Sequence, residues 1–261
     1  MSERPPSPMI VYEQPLSERI RAFMRLEFLF ARARHLLEQD DAWASRGVVE
    51  TINDVMAVLG RSDLKKELVK ELERQAGTLE NLARNPQVDE ARLGAVLARV
   101  RDSWSRLRTS ESALGQELRD IELLSAVRQR SSIPAGSCGF DLPAYHQWLR
   151  RPVAERQQDL LDWLAVFDDL GESIELCLSL IRQSAVATHE VAGAGFFQRN
   201  LETTPPCQML RVAIPPESAW YPEISAGKHR FTIRFMIPGR GANRATQTDE
   251  DVAFDLLCCM I

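Results

Sequence analysis

The spacing of apolar residues changes along this 261-residue chain, from a helical period to a period of two. Between residues 15 and 130 apolar residues recur every three or four positions, as they do from Val48 to Leu59, and this pattern predicts amphipathic helices. After residue 184 apolar and polar residues alternate, which predicts strands. The strands are predicted over residues 195–201, 209–214, 229–237 and 252–259. The predicted fold class is therefore α+β, with an N-terminal helical bundle domain and an antiparallel β-strand domain with accompanying helices.

Proline, glycine and serine mark the predicted domain boundaries. The first nine residues carry charge and proline without an apolar core, so residues 1–13 are predicted to form a disordered leader before a helical domain over residues 14–130. The segment SSIPAGSCGFDLP, which begins at Ser131, is too rich in turn-forming residues to continue a helix. The β-strand domain is therefore placed at residues 131–261. An open alternative is that its helical segment, residues 152–184, packs against the helical domain.

Charge, cysteine usage and hydropathy restrict the function classes. Lys and Arg number 32 against 37 Asp and Glu, which gives a net charge of −5 and no overall positive field to attract nucleic acid or anionic lipid. The five cysteines are scattered and are interpreted as reduced thiols. No apolar run approaches the roughly 18 residues needed to span a bilayer. These features predict a cytoplasmic protein without membrane insertion.

Motifs that would support catalysis, metal binding or cofactor binding are missing from the sequence. There is no C-x-x-C, no H-E-x-x-H and no P-loop, so neither a zinc site nor a nucleotide site is predicted. Cys138 and His146 could form a thiol and base pair if the fold brought them together. A structural thiol and a structural histidine are the favoured interpretation, because free cysteines are seldom reactive. The chain is therefore predicted to be no enzyme and to need no cofactor.

One predicted strand carries a row of basic residues. Lys228, Arg230 and Arg234 lie at even spacings and therefore share one face of the strand. Such a row could bind an acidic extended peptide, since arginine makes bidentate contacts with carboxylates. The pattern alone favours a simpler interpretation, in which these charges mark the solvated face of the sheet or protect an edge strand from aggregation. Nucleic-acid binding through the row is a further alternative, which the sequence pI near 5.5 disfavours.

Several segments, taken in order, resemble the ZapD family of bacterial cell-division proteins. They are PLSERIRAFMRLEFLF at 15–30, DLKKELVKELERQ at 63–75, VRQRSSIPAGSCGFDLPAYHQWL at 127–149, LIRQSA at 180–185, YPEISAGKHRFTIRFM at 221–236 and VAFDLLCC at 252–259. Their order and spacing both agree with the family. The chain departs from some relatives at Ala135, where a glycine would be expected, in the turn that leads toward the strands.

The resemblance implies a function and a set of site residues. It implies a cytoplasmic homodimer at the mid-cell division ring, which binds the mobile acidic and apolar C-terminal tail of polymerised FtsZ and cross-links the filaments to support septum formation. It implies no cofactor. The positions that match the family's implicated arginines are Arg230 and Arg234, with Lys228 beside them and Arg61 as a further transfer. Arg25 and His146 are expected to be walls of the pocket.

Overall fold

The computed structural model describes residues 9–61, 63–86, 88–109, 114–201, 206–227, 229–239 and 241–261. The helices are α1 (Glu18–Leu37), α2 (Ala42–Leu59), α3 (Leu64–Leu82), α4 (Glu90–Thr109), α5 (Gln116–Arg119), α6 (Glu122–Gln129), α7 (Pro143–Trp148), α8 (Val153–Ala165) and α9 (Asp168–Gln183). The strands are β1 (Ile10–Pro15), β2 (Thr188–Ala192), β3 (Phe196–Asn200), β4 (Met209–Ile214), β5 (Tyr221–Ala226), β6 (Arg230–Ile237), β7 (Thr246–Gln247) and β8 (Val252–Cys259). The predicted α+β class is confirmed.

The chain forms two compact units, and it crosses between them within α1 and again within α9. The helical unit comprises Ala22–Cys177, and the β unit comprises the residues up to Arg21 together with Leu178–Ile261. Among the described residues, no helix is both long and apolar enough to cross a membrane. The helical unit thus extends past the predicted boundary at residue 131 and includes α7, α8 and most of α9, which is the direction of the open alternative for residues 152–184.

Polar contacts explain why the turn-rich segment after residue 130 does not separate two domains. The Arg46 guanidinium on α2 donates to the Ser137 carbonyl at 3.0 Å, and Arg130 pairs with Asp141 at 2.8 Å, so both ends of the segment stay with the helices. Beyond it, the buried Arg156 of α8 donates to the Ser45 hydroxyl at 3.2 Å and to the Asp40 carbonyl at 3.1 Å. These bonds satisfy buried donors, which would be costly to leave unpaired.

The helical unit has an apolar core built from periodic positions of its helices. Asp41 begins α2 as its N-cap, since its carboxylate accepts from the backbone N–H of Trp43 and of Ala44. Along α1 to α4, fully buried side chains recur at helical spacing. They include Phe23, Leu26, Val48, Ile52, Val55, Leu68, Leu72, Val100 and Leu107. The predicted helical packing over this part of the chain is confirmed.

The β unit consists of two antiparallel sheets that share one core. One sheet has the strand order β1-β4-β8-β2, and the other has the order β3-β6-β5 with β7 paired to β6. Alternate residues of both sheets point into the shared core. Its buried members are Ala192, Leu210, Val212, Ile214, Phe231, Ile233, Phe235, Val252, Phe254 and Leu256. The predicted alternation is confirmed along β6, where the core residues Phe231, Ile233 and Phe235 are separated by Thr232 and Arg234, which are not buried.

Strand β1 corrects the predicted disordered leader. Residues 10–13, which were assigned to that leader, pair in register with β4, from Ile10 opposite Ile214 to Glu13 opposite Arg211. The Glu13 carboxylate also accepts from the Arg182 guanidinium and from Arg211 Nε, with three contacts of 2.9 Å. The strand is therefore held by its ladder and by two arginines far along the chain. The leader's residues 1–8 lie outside the described residues.

Removing the Glu13 carboxylate is expected to destabilise the β unit. In the Glu13→Ala variant the two arginines, which are mostly buried at 24% and 21% side-chain exposure, would lose a shared charged acceptor. We expect the free energy of unfolding to fall by about 1–3 kcal/mol, measured by chemical denaturation. The exposed Glu217→Ala variant is the control, with an expected change within about 0.5 kcal/mol. Equal losses of unfolding free energy in both variants would contradict the conclusion that Glu13 holds β1 in place.

Candidate functional site

The outer face of the β3-β6-β5 sheet carries the two arginines predicted from the sequence. Arg230 and Arg234 are both exposed on β6, and at roughly 3.3 Å per residue their Cα atoms lie about 13 Å apart. Phe231, Ile233 and Phe235 point the other way into the core. The apolar half of β6 therefore fixes the direction in which the arginines project, and the sheet presents them to solvent.

The strand register places three neighbours beside these arginines. Arg234 lies opposite Phe196 of β3 and opposite Glu223 of β5, and Arg230 lies opposite Asn200 of β3. Residues directly opposite in an antiparallel sheet share a face, so these side chains surround the basic positions. Phe196 is 38% exposed, which leaves an aromatic ring available next to a guanidinium. The face therefore combines positive charge, amide donors and one apolar contact.

A shallow depression of about 410 Å³ lies on this face at Arg234. It is lined by Glu223, Ile224 and Ser225 of β5 and by Thr232 and Arg234 of β6. Hydroxyl and guanidinium groups converge there on a solvent-open space. Such a site can bind the carboxylates and backbone of an extended acidic segment, since guanidinium and carboxylate groups form strong charge-assisted hydrogen bonds.

Neither arginine has a side-chain partner within the part of the chain that the structure describes. No ion pair or side-chain hydrogen bond engages Arg230 or Arg234 there, although the Glu223 carboxylate is opposite Arg234. By contrast, Arg199 on the neighbouring strand β3 pairs with Glu190 at 2.5 Å. The two arginines are thus available to an external anion. Lys228, the third member of the predicted row, lies outside the described residues.

The remaining predicted site residues lie in the helical unit. Arg25 is exposed on α1, Arg61 is exposed just after α2, and His146 is exposed on α7. No hydrogen bond or ion pair links these three side chains to one another among the described residues. Each stays a predicted contact that rests on the family resemblance.

The predicted alternative of a Cys138 and His146 dyad receives no support from the structure. The Cys138 thiol has no hydrogen bond to the His146 ring within the described residues. The backbone of Cys138 instead closes a turn, since its N–H donates to the Ala135 carbonyl at 3.1 Å and its carbonyl accepts from Leu142 at 3.0 Å. The imidazole of His146 packs against Gly139, where a Cβ atom would approach its Nδ1 to 2.9 Å.

A metal centre is not found in the described part of the chain, where no group of three or more His, Cys, Asp or Glu side chains could hold an ion.

Sequence reasoning missed the contributions of Phe196, Glu223 and Ser225 to the candidate site. The alternation of β3 was visible in the sequence, but the register that brings Phe196 next to Arg234 depends on pairing between strands more than 30 residues apart.

Comparisons with known proteins agree with the resemblance seen in the sequence. Residues 24–234 match the ZapD family, described as "Cell division protein". The chain is 44% identical over 252 residues to the "Cell division protein ZapD" of Methylococcus capsulatus, covering 97% of this chain and 98% of the relative. It is 39% identical over 253 residues to the protein of that name from Azoarcus sp., covering 97% and 100%. The Aromatoleum aromaticum relative is 38% identical over 254 residues, covering 97% and 98%.

Proposed function

The chain belongs to the ZapD family of cell division proteins, and on that premise we propose that it binds the C-terminal tail of FtsZ through the outer face of the β3-β6-β5 sheet. As a homodimer it would cross-link and bundle FtsZ filaments and so support Z-ring assembly and septum formation. It would act in the cytoplasm, at the mid-cell ring, without catalysing a reaction and without a cofactor.

The observation that carries this proposal is that Arg230 and Arg234 are exposed without a side-chain partner among the described residues and that Arg234 lines an open depression. An acidic tail would supply the carboxylates that these guanidinium groups lack within the described chain. Phe196 would contact an apolar residue of the tail, and burial of that contact adds affinity that charge alone does not provide. An exposed extended segment fits an open, shallow face better than a closed pocket.

Bundling follows from bivalence rather than from tight binding. If each subunit carries one tail site, a dimer holds two tails, and the second contact becomes effectively intramolecular once the first has formed. A filament presents many tails, which raises the effective concentration further. Weak individual contacts between exposed charges are therefore sufficient for cross-linking.

The alternative of nucleic-acid binding is less well supported on the same face. The net charge of −5 adds no long-range attraction. On the described part of that face, the only aromatic rings on which a base could stack are Phe196 and Tyr221, and Tyr221 lies near the end of the face.

Co-sedimentation with FtsZ filaments tests the proposed function. We expect the purified protein to pellet with polymerised full-length FtsZ and to stay in the supernatant with polymerised FtsZ that lacks its C-terminal tail. The physical reason is that the tail supplies the acidic groups for Arg230 and Arg234. Equal pelleting with both forms of FtsZ would contradict tail recognition, and pelleting with neither would contradict FtsZ binding altogether.

A further inference from the structure

A second depression lies within the helical unit, and we call it the acidic groove. It has a volume of about 480 Å³ and lies between the second half of α1, the end of α8 and the beginning of α9. Its lining includes the apolar side chains of Phe30, Leu37, Leu161 and Phe167 and the carboxylates of Asp162 and Asp168. Its composition is opposite in charge to the arginine face of the β unit.

The floor of the acidic groove is apolar and preformed. The rings of Phe30 and Phe167 pack with centroids 6.2 Å apart, and Gly171 of α9 lies beside the Phe30 ring. Leu161 is 51% exposed at the edge of this floor. An apolar surface of this kind, rimmed by charged residues, can mark a protein contact site.

The rim of the acidic groove carries uncompensated negative charge. Glu175 pairs with Arg34, and Glu172 accepts from Arg106 at 2.9 Å. Asp162 and Asp168 have no ion pair within the described residues. Burial, followed by the nearby Glu172 and Asp169 carboxylates, raises the pKa of Asp168 above its usual value. Repulsion among these carboxylates would be relieved by a cation brought to the rim.

We propose that the acidic groove binds a basic amphipathic helix of another protein. The floor follows α1 from Phe30 to Leu37, which at 1.5 Å per residue is about 10 Å, or two helical turns. Apolar residues at positions i, i+3 or i+4, and i+7 of a helix would cover such a floor. Lysine or arginine residues flanking that stripe would meet Asp162 and Asp168.

The negative charge of the acidic groove favours a basic helix over other classes of ligand. Nucleic acid, anionic membrane and the acidic FtsZ tail would all be repelled by the Asp162 and Asp168 carboxylates. The acidic groove and the arginine face therefore select partners of opposite charge. The groove proposal does not depend on the proposed FtsZ function.

Two synthetic peptides of about 18 residues, long enough for five helical turns, test the proposal with the full-length protein. One is an amphipathic Leu/Lys helix, and the other has every Lys replaced by Glu. Fluorescence anisotropy is expected to detect binding of the Leu/Lys peptide and none of the Leu/Glu peptide. Binding of both peptides alike, or of neither, would overturn the proposal.

Matched variants locate the binding site of the Leu/Lys peptide. Leu161→Arg is expected to weaken its binding by more than about tenfold, since a charge would enter the apolar contact. Leu82→Arg, at a leucine of similar 45% exposure on α3, should bind as the wild type does. Asp162→Asn with Asp168→Asn should weaken binding while preserving side-chain shape. Equal weakening by both leucine variants would overturn the assignment.

Sedimentation velocity addresses the alternative that a second copy of the chain occupies the groove. We expect Leu161→Arg to leave the oligomeric state of the protein unchanged, because the proposed occupant is a different protein. A shift of this variant toward a smaller species, with Leu82→Arg unaffected, would show that the groove is a self-association surface and would overturn the proposal.

Discussion

Reversing both charges on β6, in an Arg230→Glu, Arg234→Glu variant, is expected to weaken binding of an FtsZ tail peptide by about 30- to 140-fold. The estimate corresponds to about 2–3 kcal/mol, which is reasonable when two attractive exposed contacts become repulsive. Fluorescence anisotropy with a labelled tail peptide measures the change. The same variant should fail to bundle filaments in a light-scattering assay, since each bundle needs two such contacts.

The folded state of this variant should be nearly unchanged. Both side chains are exposed and have no partner among the described residues, whereas the core side of β6 is untouched. Substitutions at such positions usually change the free energy of unfolding by no more than about 0.5 kcal/mol each. Far-ultraviolet circular dichroism and thermal melting should therefore match the wild type.

A control variant of equal net charge separates local recognition from general electrostatics. Arg99 on α4 and Arg244 after β6 are also exposed and have no side-chain partner in the described chain. An Arg99→Glu, Arg244→Glu variant changes the net charge by the same amount. It should bind the tail peptide within about twofold of wild type, since distant exposed charges are screened beyond about 8–10 Å. Equal weakening in both variants would sink the site assignment.

The direction of the arginines could be predicted from the sequence, but their surroundings could not. The alternation from Arg230 to Phe235 is local information, and it correctly placed three apolar residues in the core and two arginines in solvent. The depression at Arg234 also needs β5, which was not predicted as a strand. Register between strands depends on how two sheets pack over one core, which a single strand does not encode.

The differences between the predicted and the observed chain organisation have the same origin. Strand β1 has no hairpin partner nearby, because it pairs with β4 almost 200 residues later, so local composition favoured a disordered leader. The segment after residue 130 has the composition of a linker, yet Arg46 and Arg130 bind it to the helices. In both places, contacts with other parts of the chain hold the segment, namely the ladder to β4 with the Glu13 ion pairs for β1 and the Arg46 and Arg130 bonds for the turn-rich segment, and composition does not report such contacts.

Mixing experiments provide a sharp test of the proposed bivalent mechanism. Suppose that wild-type protein is mixed with an equal amount of the Arg230→Glu, Arg234→Glu variant and that subunits exchange freely. About a quarter of the dimers would then carry two working tail sites, about half would carry one and about a quarter would carry none. Because cross-linking requires two sites, we expect bundling to fall to about a quarter of that given by the same total amount of wild-type protein.

The alternatives give different numbers in the same light-scattering assay. If one working site per dimer were sufficient, mixed dimers would remain active and bundling would fall only to about three quarters. If the protein acted as a monomer, or if its subunits did not exchange, bundling would fall to about half. Incubating the mixture before FtsZ is added, and following exchange with two fluorescent labels, separates these last two cases.

Mixing with the Arg99→Glu, Arg244→Glu control should leave bundling at the wild-type level, because every dimer then keeps two tail sites. A value near one half despite complete exchange would contradict the requirement for two sites in one dimer, and cross-linking would then have to arise from two different surfaces of a single subunit.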